Sequence, residues 1–439
     1  MARYLLAATA MPGHVMPLLA VARHLVGAGH QVCFHTASAF KAQVERTGAV
    51  FEPLVAEIDH DHRALEQKFP QQRQLPPGPA RLCFGLKHFF ADAIGPQYQG
   101  LRNILQRFAA DAILTDTMFC GTFPLLLGPR HERPPVVALG ITALALSSAD
   151  TAAFGTGMAP PTTPQARQQC RTMQQTLQRT VFGDVQRHFD AVLQRMGRPP
   201  LPAFFTDAMV TLPDLYLQLT AQAFEYPRSD LPATVQFVGP LLAPPAQGFT
   251  PPPWWPELSD GRTVVLVTQG TLANDDPQQL IVPTLKALAG QPHLHVIATT
   301  GGPVPPELAA MAPANARIMD FVPYGELLPK VQVMVTNGGY GSVNHALSLG
   351  IPLVVAGATE EKPEIAARVA WAGAGINLRT GRPSTRAIAD AVHLLLADTS
   401  YRERAQALSQ ALRRHDALAE ITQALQSLHS APAVQALAA

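Results

Sequence analysis

Charged side chains are scarce in this chain: Asp, Glu, Lys and Arg make up 15% of its 439 residues, against the roughly 25% usual for soluble domains. The 33 Lys and Arg nearly cancel the 32 Asp and Glu, so a formal net charge of +1 gives no global attraction to nucleic acid or to an anionic membrane. Cysteine is rarer still. Cys33, Cys83, Cys120 and Cys170 stand far apart, with no CxxC and no paired histidine spacing, so neither a disulfide framework nor a zinc site is indicated. No apolar run reaches the ~18 residues of a membrane span. The opening MARYLLAATAM imitates a short signal peptide, but Pro12, Gly13 and His14 break it at once and a helical pattern follows, so it reads as a first strand. A cytoplasmic location is expected.

Hydrophobic residues and proline are what the chain has in quantity. With 47% hydrophobic residues, a chain of this length can bury a large core, and two α/β domains are the economical expectation. The 41 prolines are nearly double the usual ~5% and predict long ordered loops and a stiff linker.

Alternating strand and helix signals run along both halves. Tyr4 to Thr9 is a short apolar run, a helical pattern from Leu18 to Val26 stops at Gly27 and Gly29, and Gln31 to Thr36 is a second strand. Ala112 to Thr115, Pro135 to Leu139 and Leu215 to Gln218 extend the set. Between Val238 and Arg262 seven prolines stiffen a connector, after which strands are expected at 263–268, 293–299, 317–320, 331–336 and 353–356. The expected division is residues 1–240, a Pro-rich linker 241–262, a second α/β domain 263–415, and a helical end 416–439 that packs back on the first domain. Parallel α/β sheets bind ligands at the carboxyl ends of their strands.

The strongest local signal is VMVTNGGYGSVNHALSLGIPLVV, in which a strand ends at Thr336-Asn337-Gly338-Gly339 and a helix begins near Ser342. Small residues at a helix N-terminus let a diphosphate reach bare N–H groups and the positive end of the helix dipole. The pattern is neither GxGxxG nor a Walker loop, and on pattern alone a tight turn that packs helix on sheet fits equally well.

The run from Phe321 to Asn377 resembles the donor-binding signature of the family 1 nucleotide-sugar-dependent glycosyltransferases, and GHVMPLLAVARHLVGAGHQVCFHT resembles that family's opening. The resemblance implies a GT-B fold of two Rossmann-like domains and an inverting transfer from a UDP-sugar, or a dTDP-sugar, to a small hydrophobic acceptor. It implies His14 as the general base and Asp116 as its orienting carboxylate. On the donor side it implies Phe321 stacking on the base, Val322 offering main-chain hydrogen bonds, and Asn337, Gly339, Gly341 and Ser342 around the diphosphate. Thr268, Gly270 and Thr271 form a second small-residue loop, and Glu360 and Glu361 meet the sugar hydroxyls.

Three positions depart from the family pattern. Asn337 stands where a His is usual, His345 where a Glu often grips the ribose, and Glu361 where a Gln is usual. UDP is the first expectation and dTDP stays open, since a deoxyribose would not miss the carboxylate. No cofactor or metal is expected, and no convincing DxD pair follows a strand; Asp275-Asp276 before Pro277 reads as a helix start. Asp59-His60-Asp61-His62 reads as a solvated loop and Trp254-Trp255 as packing against the second domain. Phe84, Phe89, Phe90 and Tyr98 suit an apolar acceptor. A monomer or homodimer is expected. The alternatives are a non-catalytic auxiliary subunit and, less favoured, a nucleotide-sugar epimerase.

Overall fold

In the computed structural model, which describes residues 1–61, 68–76, 78–242, 248–270 and 276–430, the strands form two sheets in which every pairing is parallel. The first holds β1 (Arg3–Ala7), β2 (Gln31–Thr36), β3 (Val50–Pro53), β4 (Ala112–Asp116), β5 (Val136–Gly140), β6 (Leu215–Gln218) and β7 (Val235–Phe237), in the order β3-β2-β1-β4-β5-β6-β7. The second holds β8 (Thr263–Thr268), β9 (Leu294–Thr299), β10 (Ala316–Met319), β11 (Val333–Thr336), β12 (Leu353–Val355) and β13 (Gly375–Asn377), in the order β10-β9-β8-β11-β12-β13. The inner strands fall where the apolar runs predict them. A parallel strand covered by helices on both faces must be apolar at consecutive positions, as Val264 to Val267 are, all within 1% of complete burial. Fully burying each such side chain contributes about 1.5–3 kcal/mol.

Both sheets reverse their strand order beside the first strand of each half, at β1/β4 and at β8/β11. Loops leaving the carboxyl ends of those paired strands diverge to opposite sides and leave a crevice between them. The registers place Ala7 beside Thr115 in one sheet and Thr336 beside Thr268 in the other, so Thr9, His14 and Asp116 share one switch point, and Gly270, Asn337 and Gly339 share the second.

The chain crosses between the halves twice, and the crossings touch. Gly239 has φ of 77°, and a Cβ there would lie 2.3 Å from the Cβ of His415, so this close approach requires glycine. The described residues end in two helices, Thr399–Leu412 and Ala417–Ser430, parted by Arg413 to Asp416. Ile421, Ala424 and Leu425 of the second lie in the core of the first sheet, alongside Val238 and β1. Trp254 and Trp255 pack against the core of the second sheet, and Trp255 meets Phe249 edge-on at 5.1 Å. Among the described residues, no helix is long and apolar enough to cross a membrane.

Candidate active site

His14 lies in the first turn of the helix Pro12–Gly27, which starts four residues after β1; Pro12 sets the helical φ where no intrahelical donor is needed. Its Nδ1 is 2.7 Å from Oδ1 of Asp116, the last residue of β4. The carboxylate is completely buried and accepts further hydrogen bonds from the Thr9 amide (2.7 Å), the Thr9 hydroxyl (3.3 Å) and the Met118 amide (2.8 Å). Those bonds fix the carboxylate, which in turn fixes the imidazole with Nδ1 occupied and Nε2 as its remaining nitrogen. Burial opposes the imidazolium, but the Asp116 charge and hydrogen bond, reinforced by Glu361 and Glu360, outweigh it and raise the His14 pKa above its ordinary value. His14 keeps 16% of its side chain exposed, enough for Nε2 to meet a second molecule. The Phe90 ring lies 6.5 Å from the imidazole and packs edge-on against Phe89 at 4.9 Å, so one of the four aromatics named for an acceptor adjoins His14.

The opposite wall rises from the second switch point. The helix Tyr340–Ser348 begins directly after Gly339, with no side chain capping it, so its first N–H groups face outward without intrahelical partners. The glycines differ in kind. A Cβ at Gly338 (φ 95°) would come within 2.9 Å of Val355, and one at Gly357 within 2.0 Å of the Asn337 carbonyl, so packing demands both. A Cβ at Gly341 would meet nothing within 4 Å, and one at Gly339 only Ser342 Oγ at 3.9 Å. These last two are glycines that the fold itself does not need, which suits a ligand's approach to the main chain.

The remaining expected residues surround that turn. Thr268 ends β8 and is buried. Gly270 holds φ of 75° and its amide donates to Thr268 Oγ1 at 3.2 Å; Thr271 lies outside the described residues. Asn337 is buried and donates one amide hydrogen to the Gln269 carbonyl, so it ties the two loops together and does not simply face a phosphate. Phe321 is 63% exposed, a bare ring beside the sheet, whereas the Val322 side chain is buried in the core beneath it. His345 is buried edge-on to Tyr324 at 5.9 Å, and burial pushes its pKa down to about 4, so the ring is neutral and does not supply the charge of a ribose-gripping carboxylate. Glu360 is exposed at φ of 56° and pairs with Lys362; Glu361 is largely buried, and burial with the neighbouring Glu360 charge raises its pKa. His14 and Glu361 feel each other's charge, so the two walls meet across one cleft.

A polar seam beside this cleft escaped the sequence reading. Arg368 donates to Glu225 at 2.7 Å and to Glu364 at 2.8 Å, with all three side chains at least 95% buried, and its guanidinium lies 4.2 Å from the Tyr226 ring centroid. Glu364 also accepts from the amides of Gly155 and Gly157, both at 2.8 Å, and so pins the 155–157 loop of the first half to the helix that follows Glu360 and Glu361. Gln218 donates to the Tyr340 hydroxyl at 2.6 Å, and Thr220 to Asn344 at 2.5 Å. The i,i+4 pair Glu364/Arg368 inside the otherwise apolar EIAARVAW was the available signal, since charges on a buried helix need partners. Of the discounted motifs, Asp59 caps the Ser38 turn, accepting from its amide at 2.7 Å. Asp276 accepts from Gln278 N at 2.9 Å, while His62 and Asp275 lie outside the described residues.

Paired parallel sheets whose two switch points face each other across a cleft define the GT-B class of glycosyltransferase. The family described as Erythromycin biosynthesis protein CIII-like, C-terminal domain, matches residues 288–428. The chain is 42% identical over 429 residues to 4'-demethylrebeccamycin synthase of Lentzea aerocolonigenes, covering 97% of this chain and 99% of that one. It is 34% identical to UDP-glycosyltransferase 2 of Phaeomoniella chlamydospora, over 97% and 96% of the two chains. In fold it is similar to the glycotransferase of kitacinnamycin, with a TM-score of 0.73 at 22% identity over 97% of this chain and 98% of that one. The calicheamicin glycosyltransferase CalG4 follows, with a TM-score of 0.69 at 21% identity over 99% of both chains. The chain belongs to the family 1 glycosyltransferases. It is a natural-product glycosyltransferase that uses a nucleotide-sugar donor and a small-molecule acceptor, and that membership favours the enzyme over the auxiliary subunit and the epimerase.

Proposed function

We propose that this protein inverts the anomeric centre of a UDP-hexose as it transfers the sugar to a hydroxyl of a small hydrophobic, aromatic acceptor, with His14 as general base and no cofactor or metal. The observation that carries the reading is the His14–Asp116 pair, buried and oriented at the carboxyl ends of β1 and β4. With Nδ1 held by Asp116, Nε2 takes the acceptor proton as that oxygen forms its bond to the anomeric carbon. The bond from that carbon to the diphosphate oxygen breaks on the opposite face. Negative charge grows on the leaving diphosphate, where the first N–H groups of the helix Tyr340–Ser348, Ser342 and the Gly270 loop receive it. Phe321 offers its exposed ring to the base, Val322 its main chain, and Glu360 and Glu361 the sugar hydroxyls.

The acceptor lies against Phe90 and the first half, and the donor on residues 263–415. UDP is favoured over dTDP by the 34% identity to a UDP-glycosyltransferase, while the neutral His345 leaves a deoxyribose acceptable. The test is thermal shift with UDP, dTDP, GDP and ADP, with and without magnesium, where a ligand at about 100 times its Kd adds roughly 2.7 kcal/mol. Stabilisation by UDP in the absence of magnesium is expected. Stabilisation by none of the four, or only with magnesium, refutes the donor assignment.

A further inference from the structure

On the outer side of the aromatic wall, His88, Asp92 and His188 converge. His88 Nδ1 is 2.9 Å from one Asp92 oxygen and His188 Nε2 is 2.6 Å from the other, and the three ligand-type atoms lie within 4.8 Å of one another. His88 and Asp92 are four residues apart and share one face of their helical segment, while His188 reaches in from the helix Gly183–Arg195. The imidazoles are edge-on to each other at 5.5 Å, and His88 also packs on Phe84 at 4.5 Å, which limits the rings' freedom to swing away. Side-chain exposures of 36%, 42% and 27% leave the cluster open to solvent.

We infer that His88, Asp92 and His188 form a binding site for a divalent transition-metal ion of the zinc type, separate from the transfer site. Two imidazole nitrogens and one carboxylate oxygen are the donor set that borderline ions such as Zn²⁺, Co²⁺ and Ni²⁺ accept, and hard ions such as Mg²⁺ do not prefer. Binding replaces the two His–Asp hydrogen bonds with metal–ligand bonds of about 2.0–2.2 Å, which small side-chain rotations at a solvent-open site permit. Three protein ligands leave a fourth position for water. No local motif marks the site in the sequence, because His188 is 96 residues from Asp92 and joins it only through packing.

The site's position gives it a consequence. Two residues along from His88, Phe90 faces the other way, toward His14, so an ion at the cluster staples the segment carrying that ring to the helix Gly183–Arg195. The metal joins two elements of the first half and takes no part in bond making.

The test uses tag-free, chelator-treated full-length protein. Co²⁺ is titrated by its visible absorption and Zn²⁺ by calorimetry, with no sugar nucleotide present, so the outcome is independent of the transfer proposal. One equivalent is expected to bind saturably, to raise Tm, and to weaken at least about tenfold in His188→Ala and in Asp92→Asn, the latter preserving shape and both imidazoles. His60→Gln is expected to bind as the wild type does. Absence of saturable binding to the wild type overturns the inference. So does binding undiminished by both site variants, or lost on changing His60.

Discussion

The two walls of the cleft are built by different means. Around His14 one side chain positions another: a buried carboxylate holds one ring nitrogen and is itself held by the Thr9 and Met118 amides. Around the Tyr340–Ser348 helix start it is done by backbone and by the lack of side chains, with Gly341 open and Phe321 bare. A proton acceptor needs one tautomer in one orientation, which only fixed partners can enforce. A diphosphate needs several N–H groups and a close approach, which a Cβ would obstruct. The difference implies that chemistry and donor binding can be removed separately.

The largest effect is expected at the first wall. His14→Ala lowers turnover by about 10²–10⁴-fold in a coupled sugar-transfer assay while UDP affinity holds. The seam that sets the walls against each other comes next. Arg368→Met leaves Glu225 and Glu364 buried without their cation, and chemical denaturation is expected to show a loss of about 3–5 kcal/mol; wild-type stability would mean the halves do not depend on that network. Phe321→Ala, at an exposed position, is expected to leave stability alone and to weaken UDP by about 1–3 kcal/mol, the worth of one stacked base.

Acid separates the walls more gently. His14 must be neutral to accept a proton, and its pKa is raised, so the acid limb of kcat/KM inflects above the ordinary imidazole value of 6.5 and moves down in Asp116→Asn. Stability follows the sign of each shift. His14, raised, contributes fully below its unfolded pKa, and that contribution is lost as pH rises through its higher folded value. His345 and His35, both depressed to about 4, work in the opposite sense. They bind fewer protons folded than unfolded between about 6.5 and 4, so their contribution is complete above 6.5 and is lost as pH falls toward 4. A Tm that stays flat across that window in a pH-resolved melt would mean these rings are not buried neutral.

What could be read from the sequence tracks burial. The inner strands were legible because two covered faces force an unbroken apolar run, as in Val264 to Val267. The strands that escaped notice, β3, β7 and β13, all lie at sheet edges, are three or four residues long, and carry partly exposed residues such as Glu52, Gln236 and Asn377 that break such a run. In the site, the glycine turn was legible as a local motif, and His14 with Asp116 through the family resemblance. The pairings that hold them in place were not, because Asp116 to Thr9, Arg368 to Glu225 and Glu364 to Gly155 run across 107, 143 and 209 residues. Only the packed sheets bring such residues together. Asn337, expected beside the diphosphate from its residue type, also gives one amide hydrogen to the Gln269 carbonyl, a tie between loops that the sequence does not reveal.

The separability of the two walls is tested most directly by UDP calorimetry on the wild type, His14→Ala and Gly341→Ala. Gly341 has room for a methyl group within the protein, so the variant folds, but the methyl stands where the diphosphate approaches the helix. His14→Ala is expected to bind UDP like the wild type, and Gly341→Ala at least about tenfold more weakly. Loss of UDP binding in His14→Ala, or undiminished binding in Gly341→Ala, would contradict that separability.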